Sequence, residues 1–186
     1  MLRLVGRRTS HPHHLRSLVL MRTFATSPKQ HIKKLLIANR GEICIRIAHA
    51  AASLSMETVG IYPCDDSHSL HTKKVDQAYM ISGVGTAAYL DAKQIVALAK
   101  QHNCDAIHPG YGFLSENAAF AHLCREESVT FVGPTPDQLA LFGNKASAKQ
   151  LAELLGVPTL AGTGGSHASV EEAEAFFKRL PSNSQV

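Results

Sequence analysis

Two short apolar runs, each followed by a glycine-bearing turn and then by apolar residues at helical spacing, constrain the fold of this chain most. Cys104–Ile107 leads into His108-Pro-Gly-Tyr-Gly-Phe-Leu-Ser-Glu-Asn117, and a helical pattern follows over Ala118–Glu126. Leu35–Ala38 leads into Asn39-Arg-Gly-Glu42, and Ile43, Ile47, Ala50, Ala51 and Leu54 then recur at helical spacing. Each is a strand, a turn and a helix. In open α/β sheets, ligands settle on the loops leaving the carboxyl ends of the strands. Gly110 and Gly112 free the backbone on either side of Tyr111, so an exposed aromatic is expected there.

The same alternation runs through the body. Strands are expected at Leu35–Ala38, Thr58–Tyr62, Gln77–Ile81, Asp105–His108 and Thr130–Val132, with helices over Glu42–Leu54, Asp91–His102 and Ala118–Glu126. Pro63–Lys74 is polar, with room for one helical turn. Asp91 and Gln94 form a capping-box pattern. Thr135, Pro136 and Gln138 open a further helix, which is followed by Lys145–Leu155 and Val170–Leu180, the last opened by Ser169 and Glu172. Parallel neighbours need crossover helices, so the fold class is α/β with a doubly wound parallel sheet. Gly162–Ser169 reads as a small-residue hinge before the last helix.

Charge divides the chain. Residues 1–34 carry five Arg and three Lys and no acid, whereas the other 152 hold 11 basic and 15 acidic groups, so the net +4 belongs to the leader. The body lacks a basic stripe with interleaved aromatics, and no nucleic-acid partner is expected. Residues 1–27, with Arg3, Arg7, Arg8, Arg16 and Arg22 among Ser, Thr and apolar residues, read as a mitochondrial transit peptide cleaved between Phe24 and Ala25. A disordered basic tail is the alternative, and Met21 offers a second start that deletes most of the leader. No apolar run reaches the ~18 residues a bilayer span needs.

Several chemistries are not expected. The Asn39–Glu42 turn has one glycine and a bulky charged neighbour, unlike the G-x-G-x-x-G that lets backbone approach a dinucleotide pyrophosphate. Asn39 there is read as a left-handed or capping residue, which accounts for Asn39 and Gly41 better than for Arg40 and Glu42. Cys44, Cys64, Cys104 and Cys124 form no C-x-x-C pair, and His68 and His71 sit in a polar loop without carboxylates at ligand spacing, so neither a disulfide nor a metal site is expected.

The run Ala38-Asn-Arg-Gly-Glu-Ile43 together with His108–Asn117 resembles the biotin-dependent carboxylases, specifically the N-terminal domain of their biotin carboxylase component. The resemblance is continuous from about Lys33 to Gly162. It implies a Rossmann-like domain over residues 33–144 that precedes an ATP-grasp domain, with residues 145–186 as the helical start of that second domain. It implies a reaction in which ATP and Mg²⁺ activate bicarbonate and biotin is carboxylated. In such enzymes the residue matching Lys145 contacts ATP, the tyrosine matching Tyr111 lies near the biotin and bicarbonate region, and the glutamate matching Glu116 belongs to the surrounding hydrogen-bonded shell. Arg46 matches an arginine of the subunit interface. Each has a plainer alternative: a surface lysine, an aromatic covering the sheet edge, a carboxylate favoured by the helix dipole, and a solvated arginine. The family more often has aspartate where this chain has Asn144.

By the same resemblance, partners are a biotin carboxyl carrier domain, a carboxyltransferase component and a second copy across a homodimer contact, in the mitochondrial matrix. No glycine-rich phosphate lid and no late carboxylate pair for Mg²⁺ occur in these 186 residues, so the isolated chain is not expected to turn over ATP and no catalytic residue is assigned. Two alternatives stand beside this reading: a non-catalytic module that pairs with a full-length carboxylase, and the leading domain of another ATP-grasp ligase, of the carbamoyl-phosphate or purine-pathway kind. The final acceptor, an acyl-CoA or pyruvate, is chosen by sequence outside this chain.

Overall fold

The computed structural model describes residues 31–160, 162 and 169–179. The leader and most of the expected hinge lie outside the described residues. The strands are β1 (Lys34–Ile37), β2 (Glu57–Tyr62), β3 (Gln77–Met80), β4 (Ala106–His108) and β5 (Thr130–Phe131). The helices are α1 (Gly41–Ser53), α2 (Ala92–Gln101), α3 (Ala118–Glu126), α4 (Pro136–Phe142), α5 (Lys145–Leu154) and α6 (Val170–Arg179).

All four strand pairings are parallel, in the order β3-β2-β1-β4-β5. Because side chains alternate across a strand, β1 feeds two cores. Leu36 joins Ile95, Val96, Phe120 and Cys124 of α2 and α3 on one face, while Leu35 and Ile37 join Cys44, Ala48 and Ala51 of α1 on the other. Helices therefore cover both faces, as the doubly wound reading requires. Asp105 ties the strand starts together by accepting from the backbone N–H groups of Lys33 and Lys34 at 2.8 and 2.9 Å.

Three helices stop in the same way. Ser55, Asn103 and Ser128, just beyond α1, α2 and α3, hold left-handed φ angles of 57°, 53° and 58°. At each, the next N–H reaches back into the last turn: Met56 to Ala51, Cys104 to Ala99 and Val129 to Cys124, at 3.0, 2.8 and 2.9 Å. This is the geometry that glycine usually supplies at a helix end, which is why these stops carry little sequence signal.

Several local expectations need correction. Asn39 is neither left-handed nor a cap; α1 begins one residue earlier than expected, at Gly41, with Arg40 at its N-cap. The 63–74 stretch forms two short 3₁₀ turns, Cys64–Asp66 and Leu70–Lys73, and His71 is buried rather than solvated. A third, Gly85–Leu90, buries Tyr89. The Asp91 box is half made: Asp91 accepts from the Gln94 N–H, but the Gln94 side chain bonds Ser82 instead. The boxes at Thr135 and Ser169 are complete.

Candidate functional site

The chain leaves β1 toward β2 and β3, then returns to lay β4 and β5 on the other side of β1. The carboxyl ends of β1 and β4 therefore flank the point where the winding reverses, the usual place for a ligand crevice in such sheets. The two turns singled out in the sequence, Asn39–Glu42 and His108–Asn117, meet there.

Asn39 joins them. Its side chain is buried, and its Nδ2 donates to the carbonyls of Pro109 at 2.8 Å and Tyr111 at 2.9 Å, while its Oδ1 accepts from the Arg40 N–H at 2.9 Å. The loop fits closely around this amide. A Cβ at Gly110 would sit 2.6 Å from Asn39 Nδ2 and 2.8 Å from Ile43 Cγ2, at a φ of +70°. The Gly110 N–H donates to His108 Nδ1 at 3.0 Å, so that nitrogen is the unprotonated one, and burial holds the His108 pKa below the ordinary histidine value.

Beyond Gly110 the loop turns outward and then back. Tyr111 is 80% exposed. Gly112 and Phe113 have φ of +68° and +42°, and Phe113 stacks on Tyr89 with centroids 5.2 Å apart, while Leu114 is buried. Asn117 caps α3 by accepting from the Phe120 N–H at 2.9 Å. The loop thus has anchored ends and a projecting tyrosine. Glu116 is exposed just before that cap, with no side-chain hydrogen bond among the described residues.

Arg40 finds a partner that its local sequence does not show. Its Nη2 donates to Asp66 Oδ1 at 2.7 Å, and its Cζ lies 6.0 Å from the Tyr89 ring centre. Asp66 is buried and also accepts from the Tyr89 hydroxyl at 2.8 Å and from Ser69 Oγ at 3.1 Å. Burial, followed by the bond to Asp66, pushes the Tyr89 hydroxyl pKa well up, so it stays a donor. Nearby, His71 Nε2 pairs with the Ile61 carbonyl at 3.2 Å and its buried Nδ1 has no partner among the described residues. Burial lowers its pKa, outweighing the bond to Ile61 and the Asp66 charge. Sequence reasoning did not single out Asp66 and Tyr89. The one signal was Arg40 itself, a charge just beyond an apolar strand that the bland reading of the turn does not account for.

The structure brings only two of the expected site residues together. Tyr111 and Arg46 line one open groove of about 950 Å³ along α1, with His108, Gly110, Glu42 and an apolar floor that includes Leu35, Ile43 and Val132. Glu116 and Lys145 are not among its lining residues. Arg46 is exposed on α1. Lys145 opens α5 and is exposed, with no carboxylate in ion-pair range among the described residues. Asn144 does what an aspartate would do for the helix end: its Oδ1 accepts from the Ser147 N–H at 3.0 Å. No helix among the described residues is long and apolar enough to cross a membrane.

Residues 31–139 match the family model described as biotin carboxylase, N-terminal domain. The chain is 47% identical over 170 residues to a pyruvate carboxylase of Aspergillus terreus, covering 89% of this chain and 14% of that protein. It is 45% identical over 148 residues to the mitochondrial pyruvate carboxylase of Homo sapiens, covering 78% of this chain and 12% of that one. Among solved structures, it resembles the biotin carboxylase domain dimer of the Hydrogenobacter thermophilus 2-oxoglutarate carboxylase, in complex with MgADP, ADP and bicarbonate. There the TM-score is 0.75 at 46% identity, covering 80% of this chain and 33% of that one. The chain therefore spans a third or less of the length of these relatives.

Proposed function

The chain belongs to the biotin carboxylase N-terminal domain family, and from that premise we propose that it supplies the N-terminal part of a biotin carboxylase site. The single observation that carries this reading is the Asn39 clamp, which joins the two switch-point turns and leaves Tyr111 projecting from a fixed loop. When bound, ATP with Mg²⁺ would supply the phosphoryl group that activates bicarbonate, and biotin the nitrogen that is carboxylated.

The residues present fit such groups. Lys145 is a cation without an ion-pair partner among the described residues, on the first turn of a helix where the backbone dipole already favours negative charge, and the two together suit an ATP phosphate. Tyr111 would border the biotin pocket, and its hydroxyl is available as donor or acceptor because the loop leaves it in solvent. Glu116, exposed at the foot of α3, would order the shell around that pocket. Arg46 would serve a subunit contact from the groove along α1. Residues 33–144 would form the α/β domain and residues 145–186 the entry to an ATP-grasp domain that supplies the metal-binding carboxylates and the phosphate lid. The carrier domain and the carboxyltransferase component would be the partners, and the basic, acid-free leader supports a place in the mitochondrial matrix.

The test is Lys145→Ala in a carboxylase that carries this region. The ATP concentration needed for half-maximal rate should rise about tenfold or more, as expected for losing a charged contact of roughly 1.5–3 kcal/mol. An unchanged ATP dependence removes the assignment. The second reading, a non-catalytic module that pairs with a full-length carboxylase, draws support from the open apolar groove beside Arg46. Under it, the chain co-purifies with a biotinylated carboxylase and Arg46→Glu abolishes that association; a strictly monomeric elution profile counts against it.

A further inference from the structure

A buried carboxylate after β2 and an exposed tyrosine after β4 are joined by three successive hydrogen bonds. Asp66 Oδ1 takes Arg40 Nη2 at 2.7 Å, the Arg40 N–H donates to Asn39 Oδ1 at 2.9 Å, and Asn39 Nδ2 donates to the Tyr111 carbonyl at 2.9 Å. We propose that Asp66 is a positioning residue for Tyr111, acting through Arg40 and Asn39. The proposal rests on the biotin carboxylase reading for what Tyr111 faces, and on the geometry alone for the linkage.

Each step has a physical reason. Asp66 is fixed from three sides, by Arg40, by the Tyr89 hydroxyl and by Ser69 Oγ. Arg40 is the N-cap of α1: its carbonyl accepts from the Cys44 N–H at 3.2 Å, while its side chain makes no capping bond and is left to find a partner outside the helix. Its anchor is Asp66. With its carbonyl held by α1 and its side chain by Asp66, the Arg40 N–H is aimed at Asn39, and that bond settles which way the Asn39 amide faces. An amide that accepts at its oxygen must present its two N–H bonds on the other side, where the Pro109 and Tyr111 carbonyls wait. The reversed amide would set an oxygen against two carbonyl oxygens.

Tyr111 depends on this clamp because its own surroundings give it little. It is 80% exposed and sits between two residues with left-handed φ, so its direction comes from its carbonyl being held. The carboxylate is needed at position 66 as more than a shape. An amide there accepts at only one atom, so it would turn its own donors toward Arg40 or Tyr89.

The test uses the full 186-residue chain. Asp66→Asn and Arg40→Gln break the same link from opposite ends; Tyr89→Phe removes one donor from Asp66 and leaves the link intact. Two quantities are read: amide hydrogen exchange at Gly110–Gly112 against that of β4, and the NMR resonances of the Asn39 side-chain amide. Asp66→Asn and Arg40→Gln should speed exchange in the loop by about tenfold more than in β4, as a local opening does, and should move the Asn39 resonances toward those of a solvated amide. Tyr89→Phe should leave both at their original values relative to β4, even where overall stability falls. Loop and strand exchange rising by one common factor, or Asn39 resonances that stay in place, would overturn the proposal. Should Asp66→Asn fail to fold, Arg40→Gln decides by the same criteria, because that side chain is 41% exposed and belongs to neither apolar core. The readout is loop order, with no ligand present, so a failed carboxylation assay and a failed loop assay are separate results.

Discussion

Phe120 and Leu155 are both apolar residues near a helix, but Phe120 is 1% exposed and Leu155 is 66% exposed. Phe120 sits in α3 against the sheet, edge-to-face with Phe131 at 5.8 Å. Leu155 is the C-cap of α5, and no residue of α5 or α6 is buried. The two regions follow the same sequence rules, with caps, helical spacing and clean stops, and they differ in whether the apolar stripe has anything to meet. Local signals are enough to begin a helix, while most helical stability comes from packing its apolar face. The sheet with α1–α4 carries that packing within itself. The solved relative that this chain resembles is more than twice as long.

The contrast is broken most strongly by truncating one side chain in each region. Phe120→Ala should cost about 3–5 kcal/mol of unfolding free energy, whereas Leu155→Ala should stay within about 0.5 kcal/mol. Urea unfolding of the full chain measures both. Similar costs would mean that α5 is packed after all.

Within the loop, the two glycines around Tyr111 sharpen the same point at closer range. Gly110→Ala should cost about 1–3 kcal/mol for strain and loosen the clamp, because its Cβ collides with Asn39 Nδ2. Gly112→Ala meets no atom within 4 Å and carries only the left-handed penalty of about 1–2 kcal/mol. Thermal unfolding gives the totals, and Tyr111 amide exchange separates them: only Gly110→Ala should raise it beyond the change in global stability.

Helix stops provide a stabilising test. Ser55→Gly relieves a left-handed φ of 57° and should add about 1 kcal/mol. No change in the urea midpoint would place the strain elsewhere.

Acid should act on the sheet region through its histidines. His71 and His108 are both held below the ordinary histidine pKa by burial, so each binds fewer protons folded than unfolded. Their contribution is complete above about pH 6.5 and is lost as pH falls below that value toward their depressed pKa values. Unfolding measured at pH 7.5, 6.5 and 5.5 should show a gradual loss, and His71→Gln should flatten part of it. A flat profile in the parent chain contradicts the burial argument.

Strand and helix order was legible because alternation, capping residues and Pro136 act over a few positions. So was the loop: Gly110, Tyr111 and Gly112 have the conformation and exposure that their types suggest. Long-range pairing was not. Asp66 lies in a polar run that reads as solvated, and what buries it is Arg40, 26 positions earlier, and Tyr89, 23 positions later. His71 was hidden in the same way. Asn39 was noticed for its type but assigned a local backbone role, since the loop that needs its amide is 70 residues away.

The central claim, that this chain supplies the N-terminal part of a biotin carboxylase site, is tested most directly by a chimera. Residues 31–160 would replace the matching third of the Hydrogenobacter thermophilus biotin carboxylase domain, and bicarbonate-dependent ATP cleavage with free biotin would be measured. The account predicts turnover within about tenfold of the parent domain, a modest loss of transition-state stabilisation, and a sharp fall on Tyr111→Ala. A chimera that folds, dimerises and binds ADP but cleaves no ATP in response to bicarbonate would contradict it.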